Sequence, residues 1–168
     1  MNNPKIRINV EGFGSMDAEL YPQYAPETVE NFLSLVKDRF FDGLIFHRVI
    51  EDFMIQGGGF DAEFNHKDAR SIKGEFAANG FGKNTLKHKR GVLSMARTSA
   101  PNSASSQFFI MHKDAPYLDG QYAAFGEVTN GLDVIDKIAA VPTTTKMWMY
   151  QNCPKDDVVI SSIELIDE

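Results

Sequence analysis

Apolar and polar residues alternate in two runs near the start of the chain, Ile6 to Val10 and Met16 to Leu20, with Glu11 to Ser15 between them. Period-two alternation broken by glycines predicts a hairpin with one apolar face. After Pro22 and Pro26 the spacing lengthens, and Val29, Phe32, Leu33, Val36 and Phe40 recur at helical intervals. Pro26 suits the first turn of that helix, and Phe41 to Gly43 marks its end. Glu27, Glu30, Lys37 and Asp38 fall on its polar face, so it reads as a structural helix laid over a sheet.

Two β-prone runs, Leu44 to Ile50 and Phe53 to Gln56, flank Glu51-Asp52 and predict a tight hairpin that sets Arg48 across from Phe53 to Gln56. Strand parity sends Phe53 and Met54 to opposite faces unless the strand begins irregularly. Gly57 to Gly59 reads as a turn by which the chain leaves the sheet. Residues 61–81 are polar and irregular, with a short strand possible over Ser71 to Phe76 and a turn at Asn79-Gly80; loops this long usually have a function. Gly91 to Ala96 is a buried strand candidate, and Arg97 to Ser106 is a Ser/Ala-rich loop.

In the next strand, Gln107 to Met111, Gln107, Phe109 and Met111 share one face and Phe108 and Ile110 the other. Both faces are apolar, so one fills the core and the other must meet a cover or a ligand. Asp114 to Gln121 turns through Pro116 and Asp119-Gly120. Tyr122 to Val128 is a strand, and Leu132, Ile135, Ile138 and Ala139 mark a second short helix. Val141 to Asp157 reads as a long connection, and Val158 to Ile166 as a closing strand. About eight strands and two helices, without βαβ alternation, predict a mainly β fold closed into an antiparallel barrel and plugged at its ends. Inward faces rich in Phe, Ile, Leu and Val would fill that barrel rather than enclose a small ligand.

The chain has 168 residues, enough for a single domain over 1–168. A net charge of −6 argues against a nucleic-acid or anionic-membrane partner. The basic stretch Lys83 to Arg90 lacks interleaved aromatics and reads as a solvated loop. One cysteine, Cys153, excludes an intramolecular disulfide and fits a reducing compartment. Met1 to Val10 has no signal-peptide core and no run approaches the ~20 apolar residues of a membrane span, so the chain is expected in the cytoplasm.

No phosphate-binding loop, zinc-protease helix or nucleophile elbow occurs, and Gly57 to Gly59 do not open a helix. His47, His66, His88 and His112 are scattered without metal-ligand spacing, and His47 reads as a packed, hydrogen-bonded side chain. What is left is a pocket built from Arg48, Phe53, Met54, Gln56, Phe109 and Leu118. Singly, each apolar member would be ordinary core and Arg48 an ordinary surface cation. Together they can bind an apolar group and hydrogen-bond beside it, which suits a reaction that breaks no covalent bond.

These residues lie in blocks that resemble cyclophilin, the peptidyl-prolyl cis-trans isomerase family: Phe46 to Gly59, Gly91 to Ala96, Ser106 to Ile110, and Leu118 to Gly120 followed by Phe125-Gly126. The blocks occur in family order and the resemblance spans roughly Ile6 to Ile166. It implies an eight-stranded antiparallel β-barrel capped by two helices, acting as a monomer on proline-containing polypeptides with no metal or cofactor. It implies that Arg48 is catalytic and oriented by Gln56. Phe53, Met54, Phe109 and Leu118 would line the proline pocket, Ala96 and Gln107 the groove, and Tyr117 and Tyr122 the rim. Tyr117 stands where the best-known members carry tryptophan, which implies weakened affinity for cyclosporin-like cyclic peptides. His66 to Arg70 replaces a glycine-rich loop and would act on residues preceding the proline. A proline-segment binding module or chaperone with incidental turnover is the competing expectation.

Overall fold

A computed structural model describes residues 3–167. Strand β1 (Lys5–Val10) and strand β2 (Gly14–Leu20) form the predicted hairpin. Ile6, Ile8, Val10, Met16, Ala18 and Leu20 are buried on its inner face, while Arg7 and Asp17 pair at 2.8 Å outside.

Helix α1 (Pro26–Lys37) begins on its proline and buries Val29, Phe32, Leu33 and Val36. It stops before Phe40, because Arg39 takes φ 56 and the following turns swing Phe41 inward onto Phe32, with ring centroids 5.0 Å apart. Ala25 offers no capping side chain. The buried carboxylate of Glu75 does that work from 47 residues away, accepting from the Thr28 backbone N–H and hydroxyl at 2.7 Å each and from the Glu27 N–H at 3.2 Å. A carboxylate there satisfies orphan donors and complements the helix dipole. Ser71 to Phe76 is consequently not a strand: the segment is pulled off any ladder to deliver Glu75.

Strands β3 (Arg48–Ile50), β4 (Met54–Gly57), β5 (Val92–Met95), β6 (Phe108–Met111) and β7 (Ala124–Asn130) follow, then helix α2 (Leu132–Ala139). In α2 the buried positions are Val134, Ile135, Ile138 and Ala139, whereas Leu132 is exposed at the first turn. Residues 141–157 are more ordered than expected, forming a hairpin of β8 (Thr143–Lys146) and β9 (Tyr150–Pro154). Strand β10 (Ile160–Asp167) closes the order.

The main sheet runs β10-β1-β2-β7-β5-β6-β4-β3, antiparallel throughout. The fold is mainly β with two helices, but the sheet is a curled half-barrel rather than a closed barrel. Residues 43–46 do reach the start of β10, with Gly43 N–H donating to Ile160 O at 2.8 Å and Phe46 N–H to Val158 O at 2.9 Å. The chain then leaves the ladder at Phe46-His47, both buried, so that pairing does not continue into β3. One apolar layer holds Phe32, Phe41, Phe46, Phe108 and Phe125. A second, on the other side of β4, β6 and β5, holds Met54, Val92, Phe109, Met111, Ala115, Leu118 and Ala124.

Two smaller expectations fail. His47 is packed against Phe60 at 4.8 Å, but its Nδ1 is buried with no hydrogen-bond partner among the described residues. Its pKa is pushed down to about 4, by burial first and then by the Arg48 charge and His66. The basic stretch is not simply solvated either: His88 is buried and Arg90 grips Asp136 through two nitrogens at 2.6 and 3.0 Å. Cys153 is buried beside the Tyr150 carbonyl, and burial pushes its thiol pKa up.

Candidate active site

The second apolar layer does not close. Above it lies a cavity of about 140 Å³ lined by Arg48, Phe53, Met54, Gln56, Ala96, Arg97, Phe109, Leu118 and Tyr122. Eight of the ten residues expected from the sequence thus meet on one wall, while Gln107 and Tyr117 stand at its margin.

Adjacent strands place the parts. Arg48 on β3 faces Gln56 on β4, and Gln56 faces Phe109 on β6. Met54 and Gln56 are two residues apart and share a face, as do Phe109 and Met111. Phe53 escapes the parity conflict because it lies before β4, in a turn where Asp52 takes φ 63. The turn lays the Phe53 ring toward Tyr117, 6.1 Å away. Tyr117 is 69% exposed and forms an outer lip, and Leu118 of the same short 3₁₀ turn reaches the floor.

Polar groups converge on one side. Arg48 Nη1 donates to Gln56 Oε1 at 3.3 Å, and Gln56 Nε2 donates to Gln107 Oε1 at 3.1 Å. This relay needs Gly59, since a Cβ there would sit 2.4 Å from the Gln107 side chain. The glycine run is therefore a close crossing as well as a turn.

Two residues that sequence pattern did not single out complete the frame. Arg97 lies 4.7 Å over both Phe76 and Tyr122 and donates from Nε and Nη2 to Gln121 O at 3.2 and 2.7 Å, which fixes the Tyr122 ring. Tyr122 in turn meets Phe109 edge-on at 5.6 Å. His88 stacks beneath Phe109 at 6.1 Å, with Nδ1 3.1 Å from Asp119 Oδ1 and Nε2 2.8 Å from Ser94 Oγ. The carboxylate assigns the proton to Nδ1, so Ser94 donates to Nε2. Burial lowers the His88 pKa while Asp119 opposes the shift. No local signal marks either residue: Arg97 sits in a Ser/Ala loop and His88 inside a basic run.

A larger groove, about 610 Å³, lies between α1 and residues 68–73. It is lined by Glu27, Glu30, Asp68, Arg70 and Lys73 together with Leu35, Phe40 and Ile72, and size alone does not make it the site. Of the His66 to Arg70 segment, Asp68, Ala69 and Arg70 line this groove and none lines the cavity, while Lys67 donates to the Phe40 carbonyl at 2.7 Å. Among the described residues no cluster of His, Cys, Asp or Glu has metal-holding geometry. The cavity lining supplies no carboxylate, thiol or imidazole. What it can do is hold a small apolar ring and direct guanidinium hydrogen bonds at an atom beside it.

The family model described as "Cyclophilin type peptidyl-prolyl cis-trans isomerase/CLD" matches residues 5–165. A peptidyl-prolyl cis-trans isomerase of Acinetobacter baylyi is 50% identical over 158 residues, covering 90% of this chain and 80% of that protein. Peptidyl-prolyl cis-trans isomerase B of Escherichia coli is 45% identical over 159 residues, covering 89% and 93%. Among solved structures, a Cryptosporidium parvum cyclophilin type peptidyl-prolyl cis-trans isomerase superposes with a TM-score of 0.80 at 28% identity over 99% of both chains. The chain belongs to the cyclophilin-type peptidyl-prolyl cis-trans isomerase family.

Proposed function

We propose that the cavity beside Arg48 takes the proline ring of an X-Pro segment and that Arg48 catalyses rotation about the preceding peptide bond. The barrier to that rotation is ~18–20 kcal/mol and comes from amide resonance, and uncatalysed X-Pro bonds exchange over roughly tens to hundreds of seconds. In the twisted transition state the carbonyl loses polarity and the prolyl nitrogen becomes pyramidal and basic. Phe53, Met54, Phe109 and Leu118 hold the ring and exclude the water that favours the planar amide. Arg48 donates to the pyramidal nitrogen or holds the adjacent carbonyl. A charge-assisted hydrogen bond contributes ~1.5–3 kcal/mol, about one to two decades in rate, and preorganisation of the pocket supplies the rest.

One observation carries this reading: the Arg48 guanidinium is tethered by Gln56, itself tethered to Gln107, at the edge of an apolar cavity. Proline docking alone needs only the cavity, so the tethered cation favours an isomerase over a binding module. The structure of the Cryptosporidium relative in the presence of the dipeptide Ala-Pro supports proline-containing polypeptides as the partners. The further parts of the proposal are a single domain acting as a monomer in the cytoplasm, consistent with a lone cysteine, and weak binding of cyclosporin-like peptides with Tyr117 at the lip.

NMR exchange spectroscopy on a short Ala-Pro peptide tests the assignment. Wild type should give cis–trans cross-peaks. Arg48→Ala should still broaden the proline resonances by binding while the exchange rate falls about 10- to 100-fold. An unchanged rate in a folded Arg48→Ala protein would sink it.

A further inference from the structure

The β8–β9 hairpin carries a feature that the proline cavity leaves unexplained. Lys146 pairs with Tyr150, and the three residues between them are Met147, Trp148 and Met149. Trp148 is fully exposed and the methionines 60% and 70% exposed. Met147 and Trp148 also take φ 53 and 63, a left-handed pair that Asn-Gly would adopt with less strain. A bulky apolar tip in a strained turn, left mostly exposed to water, is unfavourable twice over. Such features are retained for contacts made with something else.

The base of this hairpin is joined to the cavity. Strand β9 runs beside β3, the strand bearing Arg48. The Tyr150 ring meets Phe60 and Phe64 at 5.3 Å each, Phe60 meets His47 at 4.8 Å, and His47 adjoins Arg48. On its other side Phe60 follows Gly59, which lies against Gln107 at the cavity margin. The tip is thus held at a fixed offset from the polar end of the cavity. Lys146 is engaged with Asp157 at 3.2 Å and lies over Phe64, so the hairpin does not present it as a charge for anionic lipid.

We propose that the Met147–Met149 tip is a second contact for unfolded polypeptide clients, taking an aromatic or long aliphatic side chain several residues from the proline. This rests on the proline-site reading above. Flexible thioethers flanking an indole adapt to varied apolar side chains, which suits clients without a common sequence. A client held at both points pays its encounter cost once, so protein clients gain over short peptides.

Trp148 is the one tryptophan in the chain, which makes the test direct. The replacement Met147→Asn with Trp148→Gly strips the tip of its indole and one of its two thioethers and installs a favoured turn, so the hairpin should fold. The readout is the ratio of kcat/KM on a reduced, carboxymethylated ribonuclease whose refolding is limited by one prolyl isomerisation to kcat/KM on an Ala-Pro tetrapeptide. That ratio should fall about five- to tenfold through KM for the protein client. Trp148 emission should shift to the blue when the unfolded ribonuclease is added, in Arg48→Ala as well as in wild type. An unchanged ratio, or emission that responds to anionic vesicles and not to the unfolded protein, would overturn the proposal. Loss of tetrapeptide turnover in Arg48→Ala reports separately on the proline site.

Discussion

On β6, Phe108 and Ile110 point into one apolar layer while Phe109 and Met111 point into the other, and the two layers are finished differently. Around Phe108 the rings of Phe32, Phe41 and Phe46 close in at 5.4, 5.6 and 6.0 Å. Around Phe109 there is stacked His88 below, edge-on Tyr122 at one side, and an open cavity above. One layer is completed by the chain itself; the other stays open above Phe109. The same alternation that builds a closed core on one side of a strand therefore builds a cavity wall on the other.

Substituting the two phenylalanines should separate these roles most strongly. Phe108→Ala removes a ring from a closed layer and should cost about 3–5 kcal/mol of stability, read as a lowered denaturation midpoint. Phe109→Ala empties space beside an existing cavity and should cost less stability than Phe108→Ala, while kcat/KM on an Ala-Pro peptide falls at least about tenfold. Equal stability losses would erase the distinction between the layers.

Acid should weaken the structure through His47, which is buried against Phe60 and does not line the cavity. Its folded pKa of about 4 lies below the ordinary histidine value, so the unfolded chain takes up a proton first as pH falls. Its contribution is fully present above about pH 6.5 and is lost progressively toward pH 4, on the order of 3 kcal/mol in all. The lowered His88 pKa acts in the same direction. His47→Phe keeps the contact with Phe60 and removes the unpaired Nδ1, so its urea midpoint should fall less than that of wild type between pH 7 and pH 4.5. Parallel acid limbs would show that another group dominates.

The lip offers the smallest effect. Tyr117→Trp places an indole N–H donor over Phe53 and should tighten cyclosporin binding by about three- to tenfold in a titration, with stability unchanged. No change would mean that Tyr117 does not set affinity for such peptides.

Much of this comparison was legible in the sequence, because period and parity are local properties. The alternation of Ile6 to Val10 and the two faces of Gln107 to Met111 are carried by neighbouring residues. Arg48, Phe53, Met54, Gln56, Phe109 and Leu118 stand out by residue type, and Ala96, Gln107, Tyr117 and Tyr122 only through blocks that resemble a known family. Pairing of β3 with β4 and β6 brings eight of the ten to one cavity. What pattern could not reveal depends on partners far along the chain. Glu75 caps α1 across 47 residues, His88 is fixed by Asp119 across 31, and Arg97 clamps Tyr122 from another loop. The β8–β9 hairpin was hidden for a different reason: Thr143 to Lys146 is mostly exposed and polar, so no apolar period marks it. The run from Leu44 to Ile50 looks continuous in sequence, but Phe46 and His47 are buried out of the ladder, so the sheet does not close there.

The central claim is that Arg48 provides the hydrogen bond that strengthens as the peptide twists, and that Gln56 acts by holding Arg48. A double-mutant cycle on kcat/KM for an Ala-Pro peptide tests both parts together. Arg48→Ala should lower kcat/KM about 10- to 100-fold and Gln56→Leu about three- to tenfold. The double variant should match Arg48→Ala within about twofold, because a positioning residue has nothing left to position. Losses that multiply, or an Arg48→Ala protein as active as wild type, would contradict the account.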